Sequence, residues 1–484
     1  MPWTPALRLD SSADLPLFLQ IARAVTDDVQ RGRLRPGDRL PGSRSLAASV
    51  GVHRNTVLAA YDELAAEGWV TTTAGSGTRV SFDLPERPVT PSAPTTDRLG
   101  FPLRPFSPTH PVEEPVPGPG PAPFLLNGGL PDLARVPSAE LARALRRLLR
   151  RDPARLLAYG DPAGSRALRA SLATMLRARR GLACTVDSLV VTRGSQMGLY
   201  LLAQALLRPG DRVLVEEFGY APAWEAFRQA GAELVPTPVD RDGLDVDAVG
   251  RELESGRCAA IYTTPHHQFP TMAVMSAPRR LRLLDLARVH RVPIIEDDYD
   301  NEFHYVGEPV LPLAAVDRAG VVVYVGTLSK VLAPGLRIGW VAGPRELVDQ
   351  LVVRRRFVDR QGDQAVESAV AELIDDGTVP RHVRRMRRIY ARRQEVMAEA
   401  LRRHLGARVQ LEVPSGGLAL WPRLDGVDVD GWSARARRRG VVFAPGSVFS
   451  FGRRPSSHAR IGFGGIDEDR IDEAVRRLAE VLDG

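Results

Sequence analysis

The chain is 484 residues long and 44% hydrophobic, enough for two or three domains with buried cores, which excludes a disordered or fibrous protein. A single lysine, Lys330, stands among 65 basic residues, and the net charge of +7 favours polyanionic partners, although residues 1–82 are nearly neutral. Cys184 and Cys258 form no C-x-x-C or histidine pattern, and neither an export signal nor an apolar run of about eighteen residues is visible, so a cytoplasmic chain without disulfide framework, metal site or membrane span is expected.

Pro16-Leu17-Phe18 opens an amphipathic helix whose apolar positions Leu19, Ile21, Ala22, Val25 and Val29 recur at helical spacing before Gly32. A turn follows at Arg35-Pro36-Gly37. Ser43 is expected to cap a short helix over 45–50 that stops at Gly51, and a second helix starts near His53 and runs to Ala66. Two short helices joined at a glycine make a helix-turn-helix. Leu46, Ala47, Val52, Val57 and Leu64 fix their crossing, leaving Arg54, Asn55 and Thr56 exposed where a recognition helix meets base edges. Residues 69–73, the glycine-rich 74–77 and 78–81 read as strand, tight turn and strand, a wing. On helix spacing alone, a three-helix protein-interaction module is the other reading. The spelling is more specific: PLFLQIARAV, RGRLRPGDRLPGSRSLAASVGVHRNTVLAAYDELAAEGWV and GSGTRV resemble the winged-helix domain of the GntR family of bacterial transcription regulators over residues 15–81. That resemblance implies phosphate contacts from Arg44 and Ser45, major-groove entry by Arg54, Asn55 and Thr56, and a wing that Gly77 lets approach the minor groove. His53 stands where the family often has serine.

Proline recurs at about every third position between residues 83 and 123, predicting an extended, semi-rigid tether between a domain over 1–82 and one over 124–484. In the latter, apolar runs at 189–191, 212–215, 260–262, 292–295 and 321–325 alternate with helical patterns, predicting parallel βαβ units in one large α/β domain. Residues 191–196 follow one such strand and open a helix over 197–207, so their amides and the Ser195 hydroxyl suit a phosphate. Tyr220 reads either as a ring that stacks on a cofactor or as loop packing. Asp297 and Tyr299, two apart at a strand end, project to one side. A carboxylate against a pyridinium nitrogen keeps it protonated, and a phenol bonds a ring oxygen. Glu296 and Asp298 suit a helix-capping role better.

Lys330 follows a strand, with hydroxyls at Thr327 and Ser329 and Arg337 one loop later. A Schiff base needs a nucleophilic amine, which arginine's protonated, delocalised guanidinium does not offer. The one lysine therefore points to a retained chemical requirement rather than to a surface residue that arginine happened not to replace.

Taken together, YGDPAGSRALRASLA, TRGSQMGLYLLAQALLRPGD, VEEFGY, TPHHQFPTM, IEDDYDNEF, GTLSKVLAPGLRIGW and HARIGFG resemble fold-type I aminotransferases, which use pyridoxal 5'-phosphate (PLP). The implied architecture is α/β: an N-terminal winged helix-turn-helix plus a C-terminal fold-type I aminotransferase-like domain, itself a large α/β PLP domain and a smaller α+β subdomain. The resemblance implies Lys330 as the Schiff-base lysine, Asp297 on the pyridine nitrogen and Tyr299 on the ring hydroxyl. It puts Ser195, Gln196, Ser329 and Arg337 around the phosphate, Tyr220 over the ring, and Tyr159 reaching in from the other subunit. Arg460 pairs a ligand α-carboxylate through a bidentate fork. Two departures stand out. Met272 follows Pro270-Thr271 where the family usually has glycine, a side chain expected to narrow the ligand pocket, and Ala419 stands where close relatives often have histidine.

A GntR winged helix tethered to such a domain is similar to the MocR/GabR group of regulators. That similarity implies operator DNA as partner, a head-to-tail homodimer, and PLP or an amino-acid or amine effector acting through Lys330, with at most partial transamination chemistry. A working aminotransferase that also binds DNA is the alternative. The clusters Arg354-Arg355-Arg356 and 384–393 read either as a DNA-facing strip or as solvated helix faces.

Overall fold

The structure, a computed structural model, describes residues 15–73, 75–85, 123–307 and 310–483, with isolated positions at 9–10, 12, 102, 106 and 108–109. Most of the proline-rich tether over 83–123 lies outside the described residues. Backbone contacts divide the chain into two units, Met1–Pro105 and Phe106–Gly484.

In the first unit, the helix Leu17–Gln30 buries Ile21, Ala22, Val25 and Val29 in a core shared with Leu46, Ala47, Val57 and Leu64 of the helices Ser43–Val50 and Arg54–Ala66. Val52 packs against this core half-buried. The helix-turn-helix bend falls at Gly51, whose φ of +72° lies in the left-handed region that glycine occupies without penalty. Ser43 is not the cap expected of it. Gly42 holds that position without a side-chain bond, Ser43 is the first helical residue, and its hydroxyl accepts from Arg54 Nε at 3.3 Å. The wing forms as expected: Val70–Thr73 and Gly77–Val80 pair antiparallel, Val70 opposite Val80 and Thr73 opposite Gly77.

The second unit is built on a seven-stranded sheet. Its strands run in the order Leu189–Thr192, Gly339–Ala342, Val322–Thr327, Ile294–Asp298, Ala260–Thr263, Arg212–Glu216, Glu233–Thr237. The expected parallel sheet is mixed, because Gly339–Ala342 runs antiparallel to both neighbours. Its connection from the preceding strand spans only residues 328–338, short of the crossover of about a dozen residues or more that a parallel return needs. Three apolar clusters cover the sheet, and the strands nearest its middle are buried along their whole length, as a sheet covered on both faces requires.

A smaller subdomain carries its own core around Trp432, Phe443, Ile461 and Phe463. It combines the long helix Thr378–Leu405 with a three-stranded sheet of Ala419–Leu420, Ala459–Gly462 and Ala444–Pro445. The segment Phe124–Leu125 pairs with Val441–Val442 and then leads residues 127–129 past Arg460 and toward Lys330.

Two arginine clusters prove to be partly internal. Arg355 is fully buried, pairs with Asp359 and donates to the carbonyls of Pro162 and Val191. Arg393 is 1% exposed and joins Asp132, Asp467 and the Gly464 carbonyl. Arg355 and Arg393 are thereby structural ion pairs and not members of a DNA-facing strip, whereas Arg356, Arg384, Arg385, Arg388 and Arg392 are exposed.

Candidate functional site

The parallel strands deliver their C-terminal ends to one crevice, the place where open α/β sheets gather ligands. From Thr192 the chain turns through Gly194, φ +72°, into the helix Gly194–Leu206. Gly339 on the neighbouring strand allows this turn to close in, since a Cβ there would lie 2.5 Å from the Gly194 carbonyl carbon and 2.7 Å from the Ser195 nitrogen. The ends of the other strands supply Tyr220, Thr264, Asp297 with Tyr299, and Thr327 with Ser329 and Lys330.

Nine of the ten pocket residues expected from sequence, Ser195, Gln196, Tyr220, Asp297, Tyr299, Ser329, Lys330, Arg337 and Arg460, line a single cleft of about 220 Å³. Tyr159 is outside it: the side chain is 78% exposed and stacks under the Arg360 guanidinium at 4.0 Å. Met272 does not narrow the cleft. It is buried behind Tyr299, its sulfur 3.7 Å from the phenol oxygen, at a φ of +67° that explains the usual glycine. Its methyl group fills the space that a side chain on Gly417 would need. Ala419 lies fully buried on a short strand, paired with Gly462.

The electrostatics follow from burial. Asp297 is 4% exposed; Tyr262 donates to its Oδ2 at 2.9 Å, while Oδ1 has no hydrogen-bond partner among the described residues. Burial raises its pKa to about 7, opposed by the Tyr262 bond and by Lys330. Burial and the neighbouring Arg460 bring Lys330 down to about 8, against the pull of Asp300 and Asp297. Arg460 is itself 1% exposed, donates to the Pro270 carbonyl at 3.2 Å and lies 4.3 Å from the Phe269 ring centre. Burial also pushes Tyr220 up to about 12. The Thr327 hydroxyl lies 2.9 Å from that of Ser329, and Arg337 donates to the Arg193 carbonyl at 2.9 Å.

Glu296 and Asp298 have different partners. Glu296 accepts from the amides of Leu313 and Ala314 at 2.7 and 2.9 Å and caps a short helix. Asp298 caps nothing: it accepts from the Tyr324 hydroxyl at 2.6 Å beside the buried Arg180.

The fold also recruits residues that no motif singled out. Gly128 and Gly129 form a wall so close that a Cβ at 128 would collide with Arg460 and one at 129 would sit 3.2 Å from Lys330 Nζ. Buried Glu216 accepts from both Thr263 and Thr264 and from Gln268, fixing the loop that presents Phe269. Their only sequence signals are an asparagine-glycine pair after a strand and an acid at a strand end.

In the first unit, Arg44 and Ser45 are exposed on the first helix of the turn, and Arg54 and Asn55 are exposed and Thr56 half-buried at the start of the second. His53 is that helix's N-cap, its Nδ1 accepting from the Asn55 amide at 3.2 Å, the task a serine performs elsewhere. At the wing, Gly77 takes φ +86° with the Arg39 guanidinium alongside, and the Arg39 backbone forms an isolated antiparallel bridge with Arg79. This cationic pair escapes notice in sequence because its members lie forty residues apart.

Both units match known families. Residues 17–80 match bacterial regulatory proteins of the gntR family, and residues 124–478 match aminotransferase class I and II. Fold and site thus define a winged-helix regulator carrying an aminotransferase-like domain. The chain belongs to the MocR/GabR subfamily of GntR-family transcription regulators. It is 35% identical to the probable rhizopine catabolism regulatory protein MocR of Rhizobium meliloti, over 98% of this chain and 95% of that protein. It is 32% identical to the HTH-type transcriptional regulator TauR of Rhodobacter capsulatus, covering 96% of each. The second unit is similar to LysN, the α-aminoadipate aminotransferase of Thermus thermophilus complexed with N-(5'-phosphopyridoxyl)-L-leucine: TM-score 0.70, 30% identity, 75% of this chain and 92% of that one. The two relatives that span both units are named as regulators, which supports regulation over free-standing catalysis. Among the described residues no helix is long and apolar enough to cross a membrane.

Proposed function

We propose that the chain is a cytoplasmic DNA-binding switch whose 124–484 domain holds PLP and senses either PLP itself or an amino compound. One observation carries this: the only lysine amine and the unpaired Oδ1 of Asp297 share one cleft. An unsatisfied buried acceptor is costly unless a donor completes it, and a protonated pyridine nitrogen is such a donor. LysN, whose bound ligand is a phosphopyridoxyl amino acid, supports the same assignment.

When bound, PLP supplies an electrophilic carbon and an electron-withdrawing ring. The protein's part is to hold and orient. Lys330, brought to about 8, keeps about a tenth of its amine unprotonated at pH 7, far more than an ordinary lysine. Asp297, with Tyr262 behind it, would keep a proton on the ring nitrogen, Tyr299 would serve the ring oxygen, and Tyr220 would cover the ring. Ser195, Gln196, Ser329 and Arg337 would hold the phosphate at the N-terminus of the helix Gly194–Leu206. Arg460 would pair a ligand carboxylate, and Tyr159 would serve the site of the partner in a head-to-tail homodimer.

In the 1–82 domain, Arg44 and Ser45 would meet phosphates, Arg54, Asn55 and Thr56 would enter the major groove, and the Gly77 wing would follow the minor groove. Ligand binding alters DNA binding only if the ligand prefers one of two arrangements of the dimer. The test is to add PLP and then amino acids to the full-length chain while following visible absorbance and keto-acid release. The expected result is a spectral change without sustained turnover; continued turnover would overturn the sensor reading.

A further inference from the structure

Beside the cofactor cleft, three imidazoles that the proposed switch does not use come together. His266 and His267 follow the strand Ala260–Thr263, and His304 follows Ile294–Asp298. They are 3%, 1% and 8% exposed. The ring centres of His266 and His267 are 4.5 Å apart, and that of His304 lies 6.1 and 6.3 Å from them. One nitrogen from each ring falls within 4.8 Å of the others.

The hydrogen bonding of the cluster is largely unmet among the described residues. Both nitrogens of His266, Nε2 of His267 and Nδ1 of His304 are buried without partners among the described residues. Buried polar atoms are almost always satisfied, so four such nitrogens in one cluster require an explanation. One ring is held from outside: His267 Nδ1 lies 2.8 Å from Asp300 Oδ1. A carboxylate behind an imidazole, with the other nitrogen free, is the arrangement that orients histidine toward a metal.

We propose that His266, His267 and His304 bind one divalent zinc ion, with water in the open position and Asp300 orienting His267. Three neutral imidazoles suit zinc better than a hard, oxygen-seeking cation. Nitrogens bound at about 2.0–2.1 Å in tetrahedral array lie about 3.4 Å apart, so the rings approach by under about 1 Å each on binding. Gly416 provides room, since a Cβ there would press on the His267 ring at 2.8 Å. The adjacent pair His266-His267 does not by itself announce the site in sequence, because the third ligand comes from a loop 37 positions on (267 to 304).

The test uses the untagged full-length chain, dialysed against zinc chloride and in parallel against cobalt chloride. One equivalent of zinc per chain is expected, together with visible cobalt bands of a four- or five-coordinate ion. Both signals should fall at least about tenfold in His266→Ala and in His304→Gln; the second, a milder change, decides the matter should the first not fold. Less than one-tenth equivalent of metal in the parent chain, or binding undiminished in His304→Gln, would overturn the site. Neither readout depends on PLP, so failure here leaves the switch proposal standing.

Discussion

The phenol of Tyr262 holds Oδ2 of Asp297 at 2.9 Å and leaves Oδ1 free for the cleft. That bond works against burial, which raises the Asp297 pKa to about 7. Removing it in Tyr262→Phe raises the pKa further and leaves more of the carboxyl neutral. Hydrogen bonds to charged groups contribute about 1.5–3 kcal/mol, so PLP affinity should fall about 10- to 100-fold by equilibrium dialysis. Unchanged affinity would mean that Asp297 does not face the ring nitrogen.

Lys330, brought down to about 8 by burial and Arg460, gains nucleophilic amine as pH rises through that value. A base with a depressed folded pKa is protonated only below it, so PLP capture should be slow at pH 6.5, rise about tenfold per pH unit at first, and level off above about pH 8. Stopped-flow absorbance of the apo chain measures this. A rise that continues to pH 10 would place Lys330 in an ordinary solvated setting.

Gly128 matters through the space it leaves empty. A methyl group there collides with the Arg460 side chain, so Gly128→Ala should displace the guanidinium while sparing Lys330. The predicted result is retained PLP absorbance with a response to added amino acid weakened at least about tenfold. An unaltered response would remove Arg460 from ligand recognition.

His53 caps the helix Arg54–Ala66 through Nδ1. His53→Ala should cost about 0.5–2 kcal/mol of stability in the winged-helix unit, and His53→Ser should restore most of it. Denaturant unfolding of the full-length chain, followed by a probe in the first unit, distinguishes the two. Equal losses in both variants would show that the imidazole contributes packing rather than the cap.

Legibility in sequence tracks locality. The helix-turn-helix, the wing and the positions of Asp297, Tyr299 and Lys330 are written in short contiguous motifs whose periodicity survives without tertiary context. The antiparallel strand Gly339–Ala342 stays hidden because four residues carry too little pattern, and only its short connection forces the direction. Gly128, Gly129 and Arg460 meet across more than three hundred positions, beyond any local signal. Asp298 resembles a cap because its partners, Arg180 and Tyr324, come from other elements. Arg355 and Arg393 resemble surface residues because a run of arginines does not reveal which member turns inward to an acid.

The central claim is that occupancy at Lys330 changes how the winged helices meet DNA. It is tested most directly by titrating a labelled DNA fragment, selected from genomic fragments by its binding to the chain, with wild type and Lys330→Ala at fixed salt, each with and without PLP. PLP should shift the affinity or the footprint of wild type by at least about fivefold or one half-site, and leave Lys330→Ala unmoved while it still binds DNA. Superimposable wild-type titrations and footprints with and without PLP would contradict the account.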